Sequence, residues 1–479
     1  MKTLRIVSVL AFAALAGTTA CDNSKLTDLN VNPNGPVDAP APFILPAVIN
    51  VAVTTDLWTV WTNFKLGGVT VQQLSEVQYR DEEKYIYRSD AASQVWNMYT
   101  GPIEDAQVMI NKGIASKTPN WEATGRILKA WMFGIMTDYF GNIPYSEALT
   151  PTNLTPKYDT QQSIYAANFA ELAKAGALID PSGISFSSGD LIYGGDMTKW
   201  KKLAYSLMLR DAIHLSNADP TTGAAMAQKA IAGGVFQSND DNAQLVYLSG
   251  APNQNPVYSD RYVSNRDDFG MGKAFVDSLT TLGDPRLPIY AQPNADGNYQ
   301  GLAPGLNDGE GVAIKYISRA GAMWREDPTG PMPIMTYAEV LLLEAEAAQR
   351  GWISGSPAAL YTAAITASMQ QYGIPQAEID TYLAQPRVQF SSATAYQQIG
   401  LQKWFALFMN GIEAYTEVRR TDIPHIVPGL HATLPKIPTR VAYISTEGVL
   451  NKAMLDAAVA AQHFSDAADI QTPLWFAKK

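Results

Sequence analysis

One cysteine, Cys21, and four histidines are all the thiol and imidazole this chain of 479 residues holds. A single thiol forms no internal disulfide, and it cannot build a zinc-thiolate site. The histidines stand apart from one another. His425 and His431 are separated by Pro428-Gly429, which is no helical metal spacing, so no metal site is expected. Basic residues are scattered singly and the net charge is −10. Without a basic field to displace counterions from phosphates, nucleic acid is excluded as a partner. No serine lies in a Gly-x-Ser-x-Gly elbow, and the pairs Gly194-Gly195 and Gly233-Gly234 form no phosphate cradle. Long apolar runs are missing too. Ile6 to Ala16 would reach only roughly 16 Å as a helix, against a hydrocarbon core of about 30 Å.

That short run has a recognisable context. Lys2 and Arg5 precede it, and Gly17, Thr18, Thr19 and Ala20 separate it from Cys21. A basic start, an apolar stretch and small residues form an export signal with its processing site. A cysteine at the junction resembles a bacterial lipoprotein signal, although Thr18 stands where such signals usually carry leucine. Residues 1–20 are therefore expected to be removed, and Cys21 to carry lipid that ties a water-soluble body to a membrane. Residues 21–46, polar and rich in turn signals (Asn32-Pro33-Asn34-Gly35-Pro36), read as tether and lead-in loop.

The remainder, 47–479, reads as a single mainly helical domain. Hydrophobic content of 47% with 17% charge supports a large core. Ile127, Trp131, Ile135 and Tyr139 recur at steps of four, as do Trp200, Ala204 and Met208, the period of a buried helix face. Further helices are predicted over 160–177, 335–351, 358–371 and 401–419. They resemble tetratricopeptide-type hairpins without a regular 34-residue repeat. Residues 237–333 differ: rich in Gly, Pro, Asn and Asp, they read as a long irregular insertion carrying Tyr247, Tyr258, Tyr262, Tyr290, Tyr299, Tyr316 and Trp324. Loops this long in a compact protein are usually functional. The 23 tyrosines and 10 tryptophans suit surfaces that handle amphipathic ligands such as sugars.

Several motifs then fall in order. They are Asp28-Leu29-Asn30-Val31-Asn32-Pro33-Asn34, Asp138-Tyr139-Phe140-Gly141-Asn142-Ile143-Pro144-Tyr145-Ser146-Glu147-Ala148, Trp200 to Arg210, Tyr337-Ala338-Glu339 through Glu344 and Glu346, and Gln402-Lys403-Trp404 through Arg419-Arg420-Thr421. Together they resemble the SusD/RagB group of outer-membrane nutrient-binding lipoproteins, in its SusD-like branch. The resemblance implies a helical body of tetratricopeptide-like pairs and an irregular ligand-facing half. It implies lipid anchoring on the outer membrane, facing the exterior, and docking to a SusC-type TonB-dependent transporter that receives the captured oligosaccharide or peptide. It implies no catalysis and no cofactor.

Ligand contacts in that group come from the early region and the long insertion. Here they would fall on Tyr79, Arg80, Tyr85, Asn97, Trp324 and Arg325, where rings and hydrogen-bonding groups stand together. The motif residues are expected to be scaffold. Glu339, Glu344 and Glu346 sit among leucines and alanines and need buried partners such as Arg210 or Arg350. Glu413, Glu417, Arg419 and Arg420 are expected to pair charges between helices, with an anion site as the alternative. Asn294, Asp296 and Asn298 around Gly297 are expected to form a plain turn, since the distal glutamate of a calcium loop is absent. A secreted glycoside hydrolase and a purely protein-binding helical scaffold are the competing functions.

Overall fold

Polar caps set where the helices begin. The computed structural model describes residues 39–478, except 151, 187 and 188, so the expected leader (1–20) and Cys21, expected to carry lipid, lie outside the described residues. The first helix, α1, is Ala41–Asn50. It occupies part of the stretch read as a loop, because Ala41, Leu45, Val48 and Ile49 share one buried face. Next come α2 (Pro102–Ser116) and α3 (Pro119–Phe140), which pack as a hairpin. Proline opens both, a position where its missing N–H costs nothing. Beyond them α4 (Gln161–Leu178) starts after Thr160, whose side chain accepts from Ser163 N–H. Likewise α5 (Met197–His214) starts after Asp196, and α6 (Pro220–Gly233) after Asp219. In α3 almost every side chain is buried, which places it at the centre of the body.

The stretch 237–333 is less irregular than its composition suggests. It contains α7 (Pro256–Tyr262), α8 (Lys273–Thr281) and α9 (Ala322–Arg325). Two of its strands pair with remote segments: Phe269–Met271 with Leu74–Glu76, and Ala243–Leu245 with Met332–Met335, both antiparallel. Their partners lie too far away in sequence for local pattern to reveal them.

Four further helices of 11 to 14 residues are α10 (Tyr337–Gln349), α11 (Pro357–Gln370), α12 (Ala395–Ala406) and α13 (Gly411–Thr421). The single helix predicted over 401–419 is thus two. Met409 adopts φ +65 and Asn410 caps α13 by accepting from Glu413 N–H. The break lets Gly411 meet the segment Asn63–Gly68: a Cβ at Gly411 would lie 2.3 Å from the Asn63 carbonyl oxygen. No single helix among the described residues is long and apolar enough to cross a membrane.

Where α3, α5, α10, α12 and α13 meet, the core is ionic. Arg210 grips Glu339 with Nε–Oε1 at 2.7 Å and Nη2–Oε2 at 2.8 Å. Arg420 and Lys403 both reach Glu346 at 2.7 Å and also pair with Glu417, while Arg350 meets Glu346 at 2.8 Å. His214 bridges Asp138 (3.1 Å) and Glu413 (2.8 Å). Removing charges from water is costly, and Glu339, Glu346, Glu413 and Glu417 are each matched by a cation fixed on another helix or one turn away. Glu344, expected to find one as well, has no ion-pair partner among the described residues, and neither does Asp211; burial pushes both carboxyls up to about 7. His214, Glu413 and Glu417 are close enough to share one metal ion. Arg210, Lys403 and Arg420 already neutralise those carboxylates, so a further cation has no charge to answer.

Candidate functional site

The pairing of Leu74–Glu76 with Phe269–Met271 brings residues 77–80 alongside 266–268. Val77 N–H donates to the Asp268 carbonyl at 2.8 Å, and the Gln78 side chain bonds Asp268 Oδ1. Tyr79 turns outward at this junction with φ +58 and 54% of its surface exposed. The Arg266 guanidinium lies 5.3 Å from its ring centroid and is itself held by Asp268, with Nε–Oδ2 at 2.7 Å.

A second aromatic element stands on α7. Tyr258 and Tyr262, one turn apart, bring their rings to 4.6 Å at an interplanar angle of 36°. Tyr262 is half exposed, and its hydroxyl donates to Glu326 Oε2 at 2.5 Å. Glu326 also receives Arg261, Gln292 Nε2 at 3.2 Å and Arg325 Nη1 at 2.9 Å. Burial alone would raise the Glu326 carboxyl, but the bonds from Tyr262, Gln292 and Arg261 outweigh it and hold the pKa at about 2. Arg325 in turn makes a forked contact to Asp267, at 2.7 and 3.0 Å. The surface therefore offers ring faces fixed by a lattice of ion pairs, with donors and acceptors at their edges. Such a surface can stack against the C–H face of a sugar and bond its hydroxyls.

The residues singled out from sequence fare differently. Tyr79 presents its ring, and Arg325 takes part in the lattice. Trp324, next in the chain, does not: it is 1% exposed, and its indole N–H donates to the Pro331 carbonyl at 3.0 Å. The i,i+1 neighbours of a helix point apart, so Arg325 turns to Asp267 and Glu326 while Trp324 packs against Tyr290 and Phe408. Arg80 is buried as well. Its guanidinium clamps the carbonyls of Asn307 (3.0 Å) and Glu310 (3.1 Å), a structural latch between the two regions. Tyr85 is also buried, at φ +62. Asn97 is exposed but faces a separate cleft of 390 Å³ with Trp96, Tyr99, Pro144 and Glu447. Tyr258, Tyr262 and Arg266 were not singled out; the i,i+4 spacing of two tyrosines beside charged residues was their only signal. Asn294 Oδ1 accepts the N–H groups of Asp296 and Asn298, each at 3.0 Å, closing a local turn.

The profile of a family described as starch-binding and associating with the outer membrane matches residues 38–444. A solved chitin-binding protein is 30% identical, covering 92% of this chain and 100% of its own, with a TM-score of 0.81. A chitin-binding SusD homologue from Flavobacterium johnsoniae is 25% identical over 91% and 98%, also at 0.81. A SusD homologue from Bacteroides fragilis, 24% identical over 92% and 100% with a TM-score of 0.80, shares the fold. No curated protein matches the sequence. Matched over most of its length in sequence and superposing on solved relatives through its helical body, the chain belongs to the SusD-like family, described as associating with the outer membrane.

Proposed function

We propose that this chain is a non-catalytic binding protein that captures oligosaccharide on the face formed by Tyr79, Tyr258, Tyr262 and Arg266. Lipid on Cys21 holds it to the outer membrane, facing outward, and the captured glycan passes to a SusC-type TonB-dependent transporter. The observation that carries the reading is the tyrosine pair of α7: Tyr262 is half exposed and held by Glu326, and the half-buried Tyr258 ring packs against it. A chitin-binding relative that aligns end to end supports glycan as the ligand class.

The carboxylates of this face favour binding over hydrolysis. A glycosidase needs one carboxyl that keeps its proton near neutral pH and a second set across the scissile bond. Glu326, with a pKa of about 2, holds no proton to give, and Asp267 is spent on Arg325. Titration calorimetry with chito- and malto-oligosaccharides tests the reading, alongside chromatography of the incubated sugars. Binding that Tyr262→Ala weakens about tenfold, with the sugars recovered intact, is expected. Shortened products would instead make it an enzyme, and failure of every glycan to bind would end the proposal.

A further inference from the structure

Arg419 stands beside Arg420 in the chain but outside the ionic core. Its guanidinium donates to the carbonyls of Asp138 (2.6 Å), Thr439 (3.3 Å) and Tyr415 (3.2 Å) and to Thr416 Oγ1 (3.1 Å). It also stacks on the Tyr415 ring at 4.0 Å. Every one of these partners is neutral. Among the described residues no carboxylate answers this half-buried charge, whereas Arg210, Arg286 and Arg420 each have one.

Arg419 lines a cleft of 650 Å³ together with Lys436 and Lys478. Both lysines are exposed, and neither has an ion-pair partner among the described residues. The cleft's one acid, Asp422, is engaged by His425 Nδ1 at 3.0 Å. On a chain of net charge −10 this is a local reversal of sign, and such a cleft concentrates anions. Its walls decide which anions. Ile426, Ile437, Pro435 and Pro473 supply aliphatic surface, and no phenylalanine, tyrosine or tryptophan is among the lining residues. A sugar would find nothing to stack on. Alternating apolar and acidic side chains of an extended peptide would meet both the walls and the lysines.

We infer that the Arg419–Lys436–Lys478 cleft binds an acidic, aliphatic peptide segment, at a site distinct from the tyrosine face. Fluorescence anisotropy of the whole mature protein with a short labelled peptide of alternating Glu and Leu tests this. The comparison probes are the same peptide with Lys for Glu, and an oligogalacturonate. The acidic peptide should bind, and its affinity should fall at least about tenfold in Lys436→Glu/Lys478→Glu and at high salt. It should be unchanged in Tyr262→Ala. The double variant replaces exposed side chains, so an unaltered melting curve separates lost binding from lost fold. Equal affinity in the double variant, equal binding of the lysine peptide, or no binding at all overturns the inference. Tighter, lysine-dependent binding of the oligogalacturonate overturns the peptide assignment. Neutral oligosaccharide binding, read with Tyr262→Ala, stands or falls independently of these results.

Discussion

Tyr262 and Trp324 belong to adjoining helices yet lose different things on truncation. Trp324 is sealed among Tyr290, Tyr372 and Phe408, so Trp324→Ala should cost about 3–5 kcal/mol of stability, read from chemical denaturation. Tyr262→Ala should leave the denaturation midpoint nearly unchanged and show its effect in glycan titrations alone. A ligand role for Trp324 would reverse that pattern. The buried ion pairs allow an equally sharp test. Glu339→Gln leaves Arg210 charged and short of its forked partner, and a loss of about 3–5 kcal/mol is expected. A loss below about 1 kcal/mol would mean that the pair is solvated and not structural. The pairing of Glu339 with a distant arginine was legible because a carboxylate inside an apolar helix face must find a cation. The exposure of Tyr79 and the burial of Arg80 were not, since adjacent residues of one loop part company only when a strand fixes its direction.

At the scale of elements, the break between α12 and α13 shows how a periodic pattern misleads. Apolar residues run unbroken from Trp404 through Met409, and nothing in their spacing marks an end. The end is imposed by the close passage of Gly411 over Asn63–Gly68. Gly411→Ala places a methyl group against backbone that cannot rotate away, and a destabilisation of about 1–3 kcal/mol or more is expected. Urea melts of the variant measure it, and wild-type stability would show that the two segments part easily. Capped helices such as α4 and α5 were legible because Thr160 and Asp196 act on the N–H groups two or three residues ahead. Strand pairs between Leu74–Glu76 and Phe269–Met271 were not, because three-residue strands carry almost no pattern of their own.

For the molecule as a whole, the ionic core sets the response to pH. Burial alone would raise the Glu417 carboxyl, but Arg420 and Lys403 outweigh it and hold its pKa at about 2. Glu346 is likewise held well below its usual range, since burial is outweighed by Arg420 and Lys403. Groups depressed on folding stabilise fully above their unfolded pKa, near 4.5 here, and lose that contribution as pH falls through the folded value. His214 has the opposite sign. Burial opposes its charge, yet Glu413 and Asp138 raise its pKa well above 6.5. Its contribution is therefore complete below about 6.5 and lost only as pH rises through the folded value. Unfolding free energy should fall steeply between about pH 4.5 and 2. A flat profile across that window, measured by urea titration at each pH, would contradict the tight pairing of Glu346 and Glu417.

The sequence by itself determined the helical class and the family, because composition, period and ordered motifs are local properties that no folding event alters. It also required a cation for Glu339 and Glu346 of α10 and for Glu413 and Glu417 of α13, but Glu344, for which one was equally expected, keeps its place in α10 without one. Only the tertiary structure decided which rings reach solvent and which arginines, Arg80 and Arg419 among them, meet carbonyls in place of a carboxylate. Exposure is a relation between segments hundreds of residues apart. Tyr79 and Tyr262 come to the surface, and Trp324 does not, because of where remote strands and helices close over them.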